Sequence, residues 1–274
     1  MNSAVYLFNK VFGTALDLLL YPFSGLAPIW GLLFISILSG VVLLLIYGRV
    51  SNQAGLRAVK RKIGACILEA VIYRHDLHVS LRAQGRMFLH GFRYFGFALL
   101  PILILMVPCL ILLAGLNVRY GALPFKVGDH ALVSAVVASG TELRAVRLSQ
   151  VPGVKVSPPH RDLQARKISW RVDFEAAGQP RLDLTLPSGQ VTQQLFAGGP
   201  APLISSGSYS SWFWTLLFPG GVRLPSSLGL EAVETQYPEA RYNLLGLELH
   251  WVVVFLIVSI LAGLVGSKFF DVEI

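Results

Sequence analysis

Apolar residues run almost unbroken through three stretches of the chain. Residues 29–47 (IWGLLFISILSGVVLLLIY) and 95–116 (FGFALLPILILMVPCLILLAGL) contain no charge. Residues 251–266 (WVVVFLIVSILAGLVG) are followed closely by Lys268. A helix that crosses a bilayer needs about 20 mostly apolar residues. Each stretch therefore predicts a span, the third extended by Leu247 or Phe269. Residues 5–23 show a different pattern. Val5, Phe8, Phe12, Ala15, Leu16, Leu19 and Leu20 recur at helical spacing before Pro22 and Gly25. That pattern predicts a helix lying at the membrane surface, with a frayed apolar tail as the alternative. A basic start followed by a short apolar core is absent, so no cleavable signal peptide is expected.

Between the first two runs the pattern becomes amphipathic. Residues 51–94 lack proline, and Ser51 or Asn52 can cap a helix start. Leu56, Val59, Ile63, Ile67, Ala70 and Val71 form one apolar stripe. A break is expected near His75 and Asp76, with Asp76 capping a second helix that carries Leu77, Leu81, Gln84 and Phe88 into the second span. The segment reads as two antiparallel helices; a solvated basic loop that binds anionic lipid is the alternative.

Beyond residue 118 the period changes to two. Ile168, Trp170, Val172 and Phe174 alternate with Ser169, Arg171 and Asp173, and Leu182, Leu184 and Leu186 alternate with Asp183 and Thr185. Such alternation marks antiparallel strands with one buried face. Strands are expected at 131–137, 145–148, 154–156, 168–174, 181–186, 190–196 and 230–237. Their number and spacing suggest a small immunoglobulin-like sandwich. The aromatic cluster Trp212, Phe213, Trp214 and Phe218 is too short to span. It belongs either at the membrane interface or packed into the sandwich.

Composition agrees with a membrane protein. Of 274 residues 54% are hydrophobic and only 14% charged, and the mean hydropathy is +0.62; an average soluble domain has about 25% charged residues. The net charge of +8 is uneven. Residues 49–93 hold nine Lys and Arg against two acidic residues. By the positive-inside rule this segment is cytoplasmic, which places the N-terminus and residues 117–246 outside and the C-terminus inside. Arg57, Lys60, Arg61, Lys62, Arg74, Arg82 and Arg86 are then the candidates for contact with lipid or a cytoplasmic partner. Aromatic stacking positions are sparse there, so nucleic-acid recognition is not expected.

The expected architecture is thus membrane α + β. An interfacial helix at 1–28 precedes spans at 29–48, 95–116 and 247–267. A cytoplasmic hairpin occupies 49–94, an extracytoplasmic β domain 117–246, and a cytoplasmic tail 268–274. Cys66 and Cys109 fall outside the β domain, so no disulfide staples it. No Walker loop, HExxH, GxSxG or CxxC occurs, and no catalysis, cofactor or metal is expected. His75 and His78 read as a surface pair. Ser36, Ser39 and Gly40 share one helical face, which either packs helices closely or lines a wet groove.

This order of elements resembles the core of the YidC/Oxa-type membrane insertase superfamily. That group includes the third subunit of the endoplasmic-reticulum membrane protein complex and its archaeal relatives. The segments that carry the likeness are residues 8–28, Ile29-Trp30-Gly31 and Ser51-Asn52-Gln53. The whole chain also looks like a bacterial membrane-protein family in SNQAGLRAVKRKI, in residues 93–108 and in LGLELHWVVVFLIVSIL. The resemblance implies a bacterial inner-membrane protein that assists insertion or folding of membrane proteins without enzymatic chemistry. Its implied partners are a ribosome or nascent membrane-protein client, membrane lipids and other membrane subunits. It implies a groove among three spans, for which Ser36, Ser39, Arg49 and Arg93 are candidates. Insertases of this group typically hold an arginine within the first core span, whereas here Arg49 stands at its cytoplasmic end. The competing class is a structural or interaction subunit that binds an envelope partner through its outer β domain.

Overall fold

The computed structural model describes residues 2–73, 75–199, 203–222, 224–244 and 246–273. Its helices are α1 (Asn2–Leu20), α2 (Pro28–Val50), α3 (Gln53–Ile72), α4 (Leu77–Tyr120), α5 (Trp212–Leu217) and α6 (Trp251–Phe269). Four stretches are long and apolar enough to cross a membrane: Ala4–Phe23, Pro28–Val50, His78–Tyr120 and Trp251–Phe269. The chain is a membrane protein with added antiparallel sheet. It divides into two compact units, Met1–Ile29 with Ile111–Val252, and Trp30–Leu110 with Val253–Ile274.

The helical unit is organised around the contact of α2 with α6. Each carries the same run of small residues, SILSG at 36–40 and SILAG at 259–263. A Cβ added at Gly40 would collide with the backbone of Ser259, and one at Gly266 would press on Leu44. Without a hydrophobic driving force in lipid, helices associate through such close backbone approach. The buried stripe of α2, Leu32, Ile35, Ser36, Ser39, Gly40 and Leu44, follows from it.

The hairpin expected from the sequence is present. Asn52 caps α3, its Oδ1 accepting from the Gly55 N–H at 2.9 Å. Asp76 caps α4, accepting from the His78 and Val79 N–H groups. The buried face of α3 is Leu56, Val59 and Cys66. Ile67 and Val71, expected on that face, are exposed. Glu69 of α3 pairs with Arg86 of α4 across the turn, at 2.6 and 2.5 Å. Helix α4 then continues as one helix through Pro101 and Pro108.

In the other unit the β-strands are β1 (His130–Val137), β2 (Arg147–Leu148), β3 (Val154–Val156), β4 (His160–Asp162), β5 (Lys167–Phe174), β6 (Arg181–Leu186), β7 (Gly189–Gln194), β8 (Gly207–Tyr209), β9 (Leu230–Gln236), β10 (Arg241–Leu244) and β11 (Leu247–His250). The larger sheet runs β3-β5-β1-β9-β8, with β4 also on β5, and a second sheet runs β2-β6-β7. All pairings between these strands are antiparallel. The two sheets share one core. Small residues of β1 lie opposite large ones of β5, as in Val133 against Trp170 and Ala135 against Ile168. Leu182, Leu184 and Val191 close the core from the second sheet. Burial of each such side chain stabilises by about 1.5–3 kcal/mol, which is why the strict alternation in β5 and β6 fixes which face points inward.

Two expectations change. Leu247 belongs to β11, paired with Leu244, so α6 begins only at Trp251, where the His250 Nδ1 accepts from the Val252 N–H at 3.3 Å. The strand expected from residue 145 is a short 3-10 turn followed by the two residues of β2. The aromatic cluster, left open between the membrane interface and the β domain, forms α5 and the following Phe218; Trp212, Phe213 and Trp214 are exposed, while Trp214 and Phe218 also lie against Tyr209 of β8.

Candidate functional site

Tight contact between α2 and α6 fixes those two helices, and α4 faces them across a cavity of about 550 Å³. The α4 wall is Tyr94, Ala98, Ile102, Leu105 and Cys109. Steps of four and three residues keep these on one helical face over about 22 Å at 1.5 Å per residue. Helix α2 supplies Gly40, Leu43, Leu44 and Tyr47, and α6 supplies Phe255, Leu256, Ser259, Ile260, Gly263 and Leu264. The lining is almost wholly apolar. Ala98 is the small residue on the α4 wall, and the lining residues Ile102, Ile260 and Leu264 are exposed. Such a lining can receive an apolar chain or helix and offers almost nothing to a charged group.

The four candidates for a groove lie elsewhere. Ser36 is fully buried, and its hydroxyl donates to the Leu32 carbonyl at 2.6 Å. Ser39 is buried and donates to the Ile35 carbonyl at 2.5 Å. Both hydroxyls are spent on their own helix, so of the two readings of this face the structure has close packing. Arg49 and Arg93 are exposed and outside the cavity lining. The lining of this cavity is apolar and includes none of the four.

The basic hairpin is partly neutralised within the fold. Arg57 donates to the Asp271 carboxylate and carbonyl, both at 2.8 Å. Lys60 donates to Glu273 at 2.6 Å, and this hydrogen bond pushes the Lys60 pKa up from 10.5. The Gln53 side chain accepts from the Glu273 N–H at 2.8 Å, and Val272 fills the notch left by Gly48. The C-terminal tail thus latches onto the base of the hairpin. Arg86 is held by Glu69, and Arg82 contacts His78 Nε2 at 3.0 Å. Arg61 and Lys62 remain exposed, and Arg74 lies outside the described residues. The sequence held one signal for the latch: the tail carries two acidic residues, Asp271 and Glu273.

The β unit carries a separate polar cleft of about 450 Å³ beside β8 and β9, lined by Asn117, Tyr209, Glu234, Thr235 and Gln236 among others. The Tyr209 hydroxyl donates to Glu234 at 3.2 Å, and burial with the nearby carboxylate pushes the Tyr209 pKa up. Lys167 approaches Glu234 at 3.6 Å. Among the described residues no group of three or more His, Cys, Asp or Glu is placed to hold a metal ion. Comparison with known proteins yields no matching family model, curated protein or solved structure.

Proposed function

We propose that this protein is a non-enzymatic, YidC/Oxa-like factor of the bacterial inner membrane that assists the insertion or folding of other membrane proteins. Its N-terminus is outside, its basic hairpin and C-terminus are cytoplasmic, and an immunoglobulin-like sandwich stands outside. The observation that carries this reading is the apolar cavity among α2, α4 and α6. A newly inserted helix gains little by leaving lipid unless it finds packed surface. The cavity supplies such a surface at bilayer depth, open at its rim. Because its lining is apolar, the client is an uncharged transmembrane segment rather than a translocated polar one. That preference agrees with α2 carrying no arginine before its last turn, where Arg49 stands. The hairpin meets the emerging chain or ribosome through the bases not engaged inside the fold.

The test is to fill the cavity without disturbing the α2–α6 contact. Ala98→Phe should reduce insertion of a single-span, apolar client into vesicles at least several-fold. Unchanged insertion with the folded variant would overturn the reading. The second reading, a structural subunit that binds an envelope partner through the β domain, is favoured by the cleft beside β8 and β9. Thr235 lines that cleft, and its hydroxyl is buried without a hydrogen-bond partner. Loss of a co-purifying protein on Glu234→Ala, with insertion intact, would select it.

A further inference from the structure

Helix α1 is long and apolar enough to cross a membrane, yet polar ties hold it to both α4 and α5. We infer that α1 rests in the plane of the leaflet bordering the β domain, and that α1 and α5 together form a lipid-surface footing under that domain.

Two polar ties carry the inference. At the end of the apolar run of α4, the Arg119 guanidinium is nearly buried, its side chain 9% exposed. It donates from Nε and Nη2 to Asp17, at 3.0 and 2.5 Å, and from Nη2 to the Gly13 carbonyl at 2.8 Å. Its Nη1 donates to the Gly115 carbonyl of its own helix at 2.8 Å. Phe12 and Leu16 close over Gly115 at the same place. The meeting of α1 with α4 is thus gathered between residues 12 and 17 of one helix and 115 and 119 of the other. Eight residues earlier, the Asn9 side chain donates to the Thr215 carbonyl of α5 at 2.7 Å.

Asn9 and Asp17 stand about 12 Å apart along the helix at 1.5 Å per residue. Were α1 perpendicular to the bilayer, one tie would be that much deeper than the other. Taking Arg119–Asp17 at the boundary, either α5 with Thr215 and the preceding Ser210 and Ser211 would sink into hydrocarbon or α1 would leave the membrane altogether. Lying flat, both ties stay at the level where α4 emerges.

The faces agree. Leu7, Val11 and Leu18 are exposed on one side of α1, opposite the side that carries Asn9 and Gly13. Trp212, Phe213 and Trp214 add exposed aromatics from α5. Trp is favoured at the boundary between headgroup and acyl chain. An amphipathic helix buries its apolar face there. The occupant is lipid because α1 is tied both to the end of α4's apolar run, through Arg119–Asp17, and to α5, through Asn9–Thr215.

Spin labels at Leu7, Val11 and Leu18 of the full chain, in a Cys66→Ala, Cys109→Ala background, test this by collision depth. Reconstitution is into phosphatidylethanolamine–phosphatidylglycerol vesicles. A flat helix gives the three sites equal depth to within a few ångströms. A span gives a monotonic series differing by about 16 Å between residues 7 and 18 and would overturn the inference. Lipids carrying a carbene at a shallow or a deep acyl position repeat the test on the unaltered protein. Shallow labelling along the whole of α1 supports the footing; deep labelling at its middle with shallow labelling at both ends contradicts it.

Discussion

Gly40 of α2 lies against the backbone of Ser259 in α6, with no room for one methyl group between them. The contact sits at the meeting of two SILxG runs and sets the spacing from which the cavity follows. Gly40→Leu should therefore lower stability by about 1–3 kcal/mol, the usual cost of overpacking a close contact. Gly64 is the control. It lies in α3 with open space around its Cα, so Gly64→Ala should stabilise by up to about 1 kcal/mol through helix propensity. Thermal unfolding in detergent reads both, and equal effects would remove the special role given to Gly40.

The tail latch predicts a salt- and pH-sensitive hairpin base. Each exposed ion pair is worth about 0.2–1 kcal/mol, so Asp271→Ala with Glu273→Ala should speed amide exchange at residues 53–60 rather than unfold the protein. Added salt should produce part of the same effect in the unaltered chain. The Lys60 pKa is raised in the fold. Its contribution is therefore fully present below the ordinary lysine value of 10.5 and is lost as pH rises through the raised value. Exchange at the hairpin base that ignores both salt and tail substitution would exclude the latch.

Arg119 and Asp17 should be unequal in mutation. Arg119→Leu removes the polar ties from the end of α4 to Asp17 and the Gly13 carbonyl and leaves the contacts of Phe12 and Leu16 with Gly115. Asp17→Asn leaves the two carbonyl acceptors in place. Hydrogen bonds to charged groups contribute about 1.5–3 kcal/mol each, so Arg119→Leu should expose α1 to protease while Asp17→Asn leaves it mostly protected. Equal protection in both variants would show that α1 is held by apolar contact alone.

Much of this architecture was readable in order along the chain. Unbroken apolar runs gave α2, the second half of α4 and α6. The alternation of Ile168, Trp170, Val172 and Phe174 gave β5, and all four are buried. Asp76 marked the hairpin turn. Of the short strands β3 was expected, whereas β4, β8, β10 and β11 were not, because three or four residues carry little period and depend on their partners. The latch was hidden for a related reason: residues 57 and 271 are brought together by the fold, and many acid–base pairings were equally allowed by charge. A groove among three spans was expected from the resemblance, but the residues lining the cavity were not, because its shape depends on where small residues fall on three helices at once. Serines looked like groove residues for their polarity, but a serine in a span can bond its own preceding turn, as Ser36 and Ser39 do.

The most direct test of the central claim is photocrosslinking from the cavity rim. A photoreactive residue at Ile102 or Ile260, in full-length protein in native membranes, is exposed to a nascent single-span client. The account predicts adducts with the client's apolar segment from both positions, and their loss in Ala98→Phe. Adducts with lipid alone, or client adducts that persist when the cavity is filled, would contradict it.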